Sequence, residues 1–205
     1  MRLSEKTIEL NCCAQLTAAS NLRLLWFGLT QKQEAAAGFD ACTRLRGRLI
    51  LFQFKASDYV LARTGFRRFY LDHRQLRALQ VRAGHVMRSA FYAFPLVGST
   101  TELSKNANLL QQIGLLDVAA LPNPFPAPTR RDGTPRKNQA HYADARPWAV
   151  IIHSEPVDIP LMPASEIAPG GFPGSDGVNS IFETFEDFWG FSSSVGGRLA
   201  AAVLL

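Results

Sequence analysis

Apolar and polar positions along the chain follow helical and strand spacing in turn, and this predicts interleaved helices and strands. Helical spacing after a Ser4 cap predicts a helix over residues 4–20, and an apolar run predicts a buried strand over residues 22–29. The other predicted elements are a helix at 31–37 that ends at Gly38, strands at 39–46 and 48–56 around Gly47, a strand at 66–71, a helix at 73–82, a strand at 88–97, a helix at 101–113, and strands at 115–121 and 148–153. This order predicts an α/β fold in which helices flank a central mixed sheet.

Proline content divides the chain into three predicted parts. Residues 122–147 contain six prolines and five basic residues with little periodic hydrophobicity, which is typical of an extended linker or wrapping loop. We therefore expect an α/β core over residues 1–121. We expect one further strand and an irregular C-terminal extension over residues 148–205.

Composition is that of an ordinary globular protein. The chain has 205 residues, of which 47% are hydrophobic and 19% are charged. Its last seven residues are its longest uncharged hydrophobic stretch, far short of the roughly 20 residues that span a bilayer. The first ten residues mix charged and apolar positions without the apolar region of a secretory signal. We therefore expect a cytoplasmic protein without a membrane segment.

Three cysteines, Cys12, Cys13 and Cys42, form neither an even framework nor a C-x-x-C motif. Their number and spacing fit a reducing compartment, and we interpret them as small buried apolar residues. The four histidines likewise have no spacing typical of a zinc site.

Basic residues are concentrated in the first three quarters of the chain. Residues 1–150 carry 21 Lys and Arg against 10 Asp and Glu, whereas residues 151–205 carry 1 against 7. The segment 44–88 alone has eleven basic residues against two acidic ones. This density predicts a polyanionic partner, and the alternative is a solvated surface that maintains solubility. The candidate nucleic-acid contacts are Arg44, Arg46, Arg48, Arg63, Arg67, Arg68, Arg74 and Arg77.

The hairpin around Gly47 brings together the side chains with the most specific chemistry. If Gly47 and Arg48 form a two-residue turn, Asp40 lies opposite Lys55, and Asp40, Gln53 and Lys55 share one face. Phe39, Ala41, Phe52 and Phe54 then share the other face. The Asp40 carboxylate, the Gln53 side-chain oxygen and the Phe54 carbonyl are hard oxygen ligands that suit Mg²⁺. Lys55 could offset charge on a phosphate, although an ordinary Asp and Lys pair on a sheet would show the same spacing.

The segment GFDACTRLRGRLILFQFKAS, with Asp40 followed by Gln53-Phe54-Lys55 on the next strand, resembles the PD-(D/E)XK nuclease superfamily. It is most similar to the restriction-endonuclease-like, Mrr-type branch, in which Q-x-K replaces E-x-K. The resemblance covers residues 4–121. It implies a restriction-endonuclease-like core, hydrolysis of DNA phosphodiester bonds with Mg²⁺ or Mn²⁺, and a setting in restriction or antiviral defence. By position, the metal-binding aspartate is Asp40, the E/Q position is Gln53 and the catalytic lysine is Lys55.

The neutral Gln53 leaves the predicted site with one negative charge fewer than the D/E form of the family. Glu34, six residues before Asp40, is the first candidate for an additional carboxylate, and Glu9 on the first helix is the second, because some members of the superfamily use a glutamate there. Each glutamate could also be a solvated helix charge. If neither reaches Asp40, the fold could keep nucleic-acid binding without catalysis.

The acidic, aromatic segment IFETFEDFWGF, residues 181–191, suggests a second role. Its spacing suits a short amphipathic element that docks in a partner's groove, self-associates or covers the basic surface, and packing on its own domain is the alternative. A catalytically inactive subunit that binds nucleic acid or scaffolds a larger complex is therefore the competing functional prediction. A Walker A loop, a dinucleotide fingerprint and a G-x-S-x-G motif are all absent from the sequence, which argues against ATP hydrolysis, hydride transfer and ester hydrolysis.

Overall fold

A computed structural model describes residues 2–20, 24–45, 48–57, 59–105, 108–130, 133–134, 139–167 and 200–202. Within these ranges the helices are α1 (Glu5–Ser20), α2 (Gln31–Ala37), α3 (His73–Ala83) and α4 (Thr100–Lys105). Short 3-10 helices span Leu109–Gln112, Val118–Ala120 and Ala164–Glu166. The strands are β1 (Trp26–Gly28), β2 (Ala41–Leu45), β3 (Arg48–Phe54), β4 (Arg67–Asp72), β5 (Ala90–Pro95), β6 (Ile113–Asp117), β7 (Ala140–Arg146), β8 (Ala149–Ile152), β9 (Glu155–Pro160), β10 (Met162–Pro163) and β11 (Ala200–Ala202).

The described residues form an α/β fold with a mixed sheet, as predicted, together with a second sheet that was not predicted. The first sheet is mixed, and its seven described strands have the order β10, β6, β5, β3, β2, β1 and β11. Strand β3 is antiparallel to β2 and parallel to β5, and α3 lies on the connection between β3 and β5. The second sheet is antiparallel, in the order β4, β7, β8 and β9.

Both faces of the mixed sheet are buried because strand alternation sends apolar side chains to each side. One face packs against α1 through Ile50, Phe52 and Phe91. The other face packs against α3 and the second sheet through Leu51, Tyr92 and Phe94. The molecule is therefore layered, with α1 on one side and α3 with the second sheet on the other.

Helix boundaries follow local chemistry where the sequence predicts them well. The Ser4 hydroxyl accepts a hydrogen bond from the Thr7 backbone N–H at 3.0 Å, which caps α1 as predicted. Helix α2 ends at Gly38, whose φ of 83° is the left-handed conformation that favours glycine. The predicted helix over residues 101–113 is wrong in part, because α4 ends at Lys105 and Ile113 already begins β6.

The segment predicted as a linker contains a strand of the second sheet. Residues 140–146 form β7, which pairs with β4 on one side and β8 on the other. Alternation in AHYADAR buries Ala143 and Ala145 against the core, but these small residues give a weak hydrophobic signal among prolines and charges. The prediction of a linker or wrapping loop is therefore wrong for residues 140–146.

The hairpin of β2 and β3 has a register that differs from the predicted one by two residues. Leu45 pairs with Arg48 and Cys42 with Leu51, whereas a Gly47-Arg48 turn would place Cys42 opposite Gln53. A two-residue shift keeps every side chain on its face, since strand side chains alternate with a period of two. Phe39 is the exception, because it lies before β2 and packs with Leu51 and Tyr92 rather than with Phe52.

Within the described residues, none of the helices is both long and apolar enough to cross a membrane. All three cysteines are buried free thiols, as predicted for small apolar residues.

Candidate active site

Asp40 immediately precedes β2 and is almost completely buried, with 8% of its surface exposed. Its backbone N–H donates to the Phe52 carbonyl at 2.8 Å, which extends the hairpin to the point where the carboxylate meets the end of β3. The backbone N–H of Phe54 donates to Asp40 Oδ2 at 2.7 Å. Asp40 is therefore fixed by β3 on both its main chain and its side chain.

Gln53 brings its amide nitrogen to the point where three oxygens converge. Gln53 Nε2 lies 2.8 Å from Asp40 Oδ1, 2.7 Å from Asp40 Oδ2 and 3.2 Å from the Phe54 carbonyl oxygen. The structure therefore brings together Asp40, Gln53 and Phe54, which are three of the sequence-predicted site residues. An N–H donor interacts there with the carboxylate and carbonyl oxygens that would suit a hard cation.

Lys55 joins this group through Gln75 of α3, a residue that the sequence reasoning missed. Lys55 Nζ donates to Gln75 Oε1 at 2.9 Å, and Gln75 Nε2 donates to Gln53 Oε1 at 2.7 Å. Asp72 caps α3 by accepting the Gln75 backbone N–H at 2.9 Å. The sequence DHRQ shows this cap, but it gives no signal that the Gln75 side chain crosses to β3.

Burial raises the pKa of Asp40 from its ordinary value to about 7. The Phe54 N–H, the charge of Lys55 and the Gln53 amide oppose this rise, whereas the charge of Glu34 adds to it. The carboxylate thus accepts hydrogen bonds that favour its ionised form inside a site that disfavours any uncompensated charge.

Glu34 and Glu9 are electrostatic neighbours of this site. Burial raises the pKa of Glu34 above its ordinary range, and the nearby charge of Glu9 raises it further. Glu9 is buried on α1 and its Oε1 accepts a hydrogen bond from Lys6 Nζ at 2.6 Å. Burial lowers the pKa of Lys6, but Glu9, Glu34 and Asp40 together raise it more. In the ranges that the structure describes, no group of three or more His, Cys, Asp or Glu side chains could hold a metal ion.

Tyr92 adds a buried phenol to this region. Tyr92 on β5 pairs in register with Gln53, and the Lys55 Nζ lies 5.9 Å from the centroid of its ring. Its hydroxyl has no hydrogen-bond partner within the described part of the chain. Burial, with smaller contributions from the charges of Asp72 and Asp40, raises the pKa of this phenol.

The predicted arginine contacts fall into different environments. Arg67 is buried, with 8% of its surface exposed, and its guanidinium donates to the Ser57 carbonyl at 3.0 Å and to Glu102 at 3.2 Å. It therefore does not belong to an exposed basic surface. Arg68 and Arg77 make hydrogen bonds to Asp144 and to Asn123, respectively.

Other predicted contacts are exposed or fall outside the description. Arg44, Arg63 and Arg74 are exposed. Arg46, the Arg48 side chain and the acidic aromatic segment at residues 181–191 lie outside the described residues.

A second polar cluster lies on the second sheet and was not predicted. His141 is buried, and its ring nitrogens lie 3.0 Å from His73 Nδ1 and 2.6 Å from the Ser154 hydroxyl. A cavity of about 260 Å³ lies beside it, with His141, Tyr142, His153 and Ser154 among its walls. The sequence gives no signal for this cluster because His73 and His141 belong to elements that are 68 residues apart.

Comparison of this chain with protein-family models, with curated proteins and with solved structures finds no match.

Proposed function

We propose that this chain is a metal-dependent nuclease that hydrolyses DNA phosphodiester bonds at the site formed by Asp40, Gln53 and Lys55. The observation that carries the proposal is that three oxygens converge on one atom. Asp40 Oδ1, Asp40 Oδ2 and the Phe54 carbonyl oxygen all lie 2.7 to 3.2 Å from Gln53 Nε2. The similarity of the D…QxK segment to PD-(D/E)XK nucleases agrees with this choice of residues.

The donor set fits Mg²⁺ or Mn²⁺. Carboxylate, carbonyl and amide oxygens are the ligands that hard divalent cations prefer, and water and phosphate would complete the coordination shell. Asp40 and the Phe54 carbonyl would hold the cation, with the Gln53 oxygen as a neutral ligand. A bound divalent cation supplies Lewis-acid polarisation of the phosphoryl group and activation of a water molecule.

The protein's own residues supply positioning and charge. Asp40 is fixed by the Phe54 N–H, so its two oxygens keep their direction. Lys55 follows β3 directly, and its backbone N–H donates to the Ala93 carbonyl at 3.1 Å. Its ammonium donates to Gln75 Oε1 at 2.9 Å, and its charge acts to lower the pKa of Asp40. The ammonium would offset the negative charge that develops on a phosphate. Exposed arginines such as Arg63 and Arg74 would bind the phosphate backbone of DNA without reading the base sequence.

One observation favours a second candidate, a nuclease-like subunit that binds nucleic acid without cutting it. Asp40 is the carboxylate that contacts Gln53 and Phe54, and the described residues form no cluster of three acidic side chains for a metal. A site with a single ligating carboxylate binds Mg²⁺ more weakly than one with two. Binding and cutting therefore have to be measured separately.

The test is a time course with plasmid, linear duplex and single-stranded substrates in Mg²⁺, Mn²⁺ or EDTA. We expect metal-dependent cutting that falls by at least about a hundredfold in Lys55→Met. Lys105→Met, at the end of α4, is the matched control and should cut like the wild type. Equal cutting by Lys55→Met and the wild type would overturn the proposal. Binding without cutting by the wild type would favour the second candidate.

A further inference from the structure

Gln75 bridges two residues that the proposed function uses, and one amide makes both contacts. Its Nε2 donates to Gln53 Oε1 at 2.7 Å, and its Oε1 accepts from Lys55 Nζ at 2.9 Å. An amide nitrogen only donates hydrogen bonds, and an amide oxygen only accepts them. The orientation of the Gln75 amide is therefore determined jointly by Gln53 and Lys55.

The Gln53 amide has a defined orientation for the same reason. Its nitrogen faces both carboxylate oxygens of Asp40, and its oxygen faces Gln75. A nitrogen that donates to Asp40 cannot act as a ligand to a hard cation. In this orientation Gln53 satisfies Asp40 but keeps its own oxygen away from the point where the oxygens of Asp40 and Phe54 converge.

We infer that Gln75 couples the cation site at Asp40 and Gln53 to the release of Lys55. For Gln53 to present its oxygen beside Asp40, its amide must turn over, and its nitrogen then points at Gln75. Gln75 must turn over as well to accept that hydrogen bond, so its own nitrogen comes to face the Lys55 ammonium. An ammonium has three donors and no acceptor, so the contact between Gln75 and Lys55 is lost.

The consequence is a resting state in which Lys55 stays hydrogen-bonded to Gln75 until the Gln53 amide reorients. The Gln75 backbone stays in place during the change, because Asp72 accepts its N–H at the start of α3. The ammonium also keeps a favourable neighbour, since it lies 5.9 Å from the centroid of the Tyr92 ring. Lys55 thus becomes available to a phosphate only when Gln53 presents its oxygen. This inference rests on the proposed function, because it requires a cation site at Asp40.

The test follows the Lys55 ammonium directly and does not depend on cutting. The full chain is labelled with ¹⁵N-lysine, the Lys55 ammonium resonance is assigned with Lys55→Arg, and Mg²⁺ is titrated while calorimetry records its affinity. In the wild type we expect the Lys55 resonance to shift, and its hydrogens to exchange faster with water, in step with Mg²⁺ binding.

Two variants of Gln75 separate coupling from simple support of the site. Gln75→Glu offers acceptors to both Gln53 and Lys55, so Gln53 should present its oxygen without releasing Lys55. We expect about tenfold tighter Mg²⁺ binding in this variant and no change of the Lys55 resonance on binding. In Gln75→Leu the resonance should already resemble the released state and should not respond to Mg²⁺.

Val81→Ala, a change at an exposed position of α3, controls for effects on the helix and should behave like the wild type. Mg²⁺ binding by the wild type without a change at Lys55, or an equal change in the wild type and Gln75→Glu, would overturn the coupling alone. If neither the wild type nor Gln75→Glu binds Mg²⁺ or Mn²⁺, the proposed cation site is overturned, and the coupling with it.

Discussion

Two buried aspartates, one in each sheet, show how neighbours decide the state of a carboxylate. Asp40 of the mixed sheet and Asp144 of the second sheet are 8% and 6% exposed. Asp40 accepts hydrogen bonds from the Gln53 amide and the Phe54 N–H, which are uncharged. Asp144 accepts two from the Arg68 guanidinium, at 2.7 and 2.8 Å, and lies 2.7 Å from His153 Nε2.

The pKa values of the two aspartates move in opposite directions. Burial raises the pKa of Asp40 to about 7, and its hydrogen bonds do not cancel this rise. Burial also acts to raise the pKa of Asp144, but Arg68 and His153 outweigh it, so the pKa lies below its ordinary value. Asp144 is therefore a paired ion that supports the sheet, whereas Asp40 is a carboxylate that lacks a directly bonded cation among the described residues.

Removal of Asp144 should have the largest effect on stability. Asp144→Ala leaves the Arg68 guanidinium, which is 22% exposed, without its carboxylate. The loss of one partner of a buried ion pair is expected to lower the free energy of unfolding by about 3 kcal/mol. Urea unfolding at pH 7 measures this effect.

Asp158→Ala is the matched control on the same sheet. It breaks the ion pair between Asp158 and Arg146, whose side chains are 54% and 43% exposed, respectively. The free energy of unfolding should fall by less than about 1 kcal/mol. Equal losses in the two variants would mean that the ion pair of Asp144 does not hold the second sheet.

The pH dependence of stability should distinguish the two aspartates by sign. Because the pKa of Asp40 is raised, its contribution is fully present below its unfolded value of 3.8 and is lost as the pH rises through about 7. For Asp40 this amounts to about 3 kcal/mol between pH 4.5 and 7.5. The lowered pKa of Asp144 has the opposite sign, since its contribution is present above the unfolded value and is lost on acidification.

The measurement compares the wild type with Asp40→Asn in urea at several pH values, with EDTA present throughout. The difference between the two curves isolates Asp40 from the other titrating groups. We expect the wild type to lose stability relative to Asp40→Asn as the pH rises. A difference that does not change with pH would show that burial does not raise the pKa of Asp40.

Strand alternation in the sequence predicts the part of the candidate site that lies on the hairpin. Asp40 and Gln53 were placed on one face by a period of two, and a register error of two residues left that placement intact. Gln75 could not be predicted, because it lies 22 residues beyond Gln53 and reaches it only through the packing of α3 on the sheet. The D…QxK motif of the resemblance lies on the hairpin, and Gln75 is not part of that motif.

The second sheet was harder to predict for a different reason. Its strand β7 lies in a proline-rich, basic segment, and it pairs with β4 over a separation of some 70 residues. Asp144 has two partners, Arg68 and His153, which come from two other strands or their ends. Local sequence patterns therefore do not reveal the cluster. Long-range pairing, rather than local propensity, decides this part of the fold.

The smallest expected difference in stability between the two regions concerns two glycines with positive φ. Gly38 precedes β2 with a φ of 83°, and Gly65 precedes β4 with a φ of 71°. A Cβ at Gly38 would lie 2.7 Å from the Gln75 carbonyl oxygen and 3.1 Å from Ala78 Cβ, whereas a Cβ at Gly65 would meet no atom within 4 Å. Gly65→Ala should therefore cost only the left-handed strain of about 1 kcal/mol.

Gly38→Ala should cost about 2 kcal/mol, because α3 must also move away from the added methyl group. That movement carries Gln75 away from Gln53 and Lys55, so the ¹⁵N resonance of the Lys55 ammonium should change in Gly38→Ala and not in Gly65→Ala. Urea unfolding measures the two costs, and the lysine resonance reports on the site. Equal costs with an unchanged Lys55 resonance would show that α3 does not need the close approach at Gly38 to hold Gln75 in place.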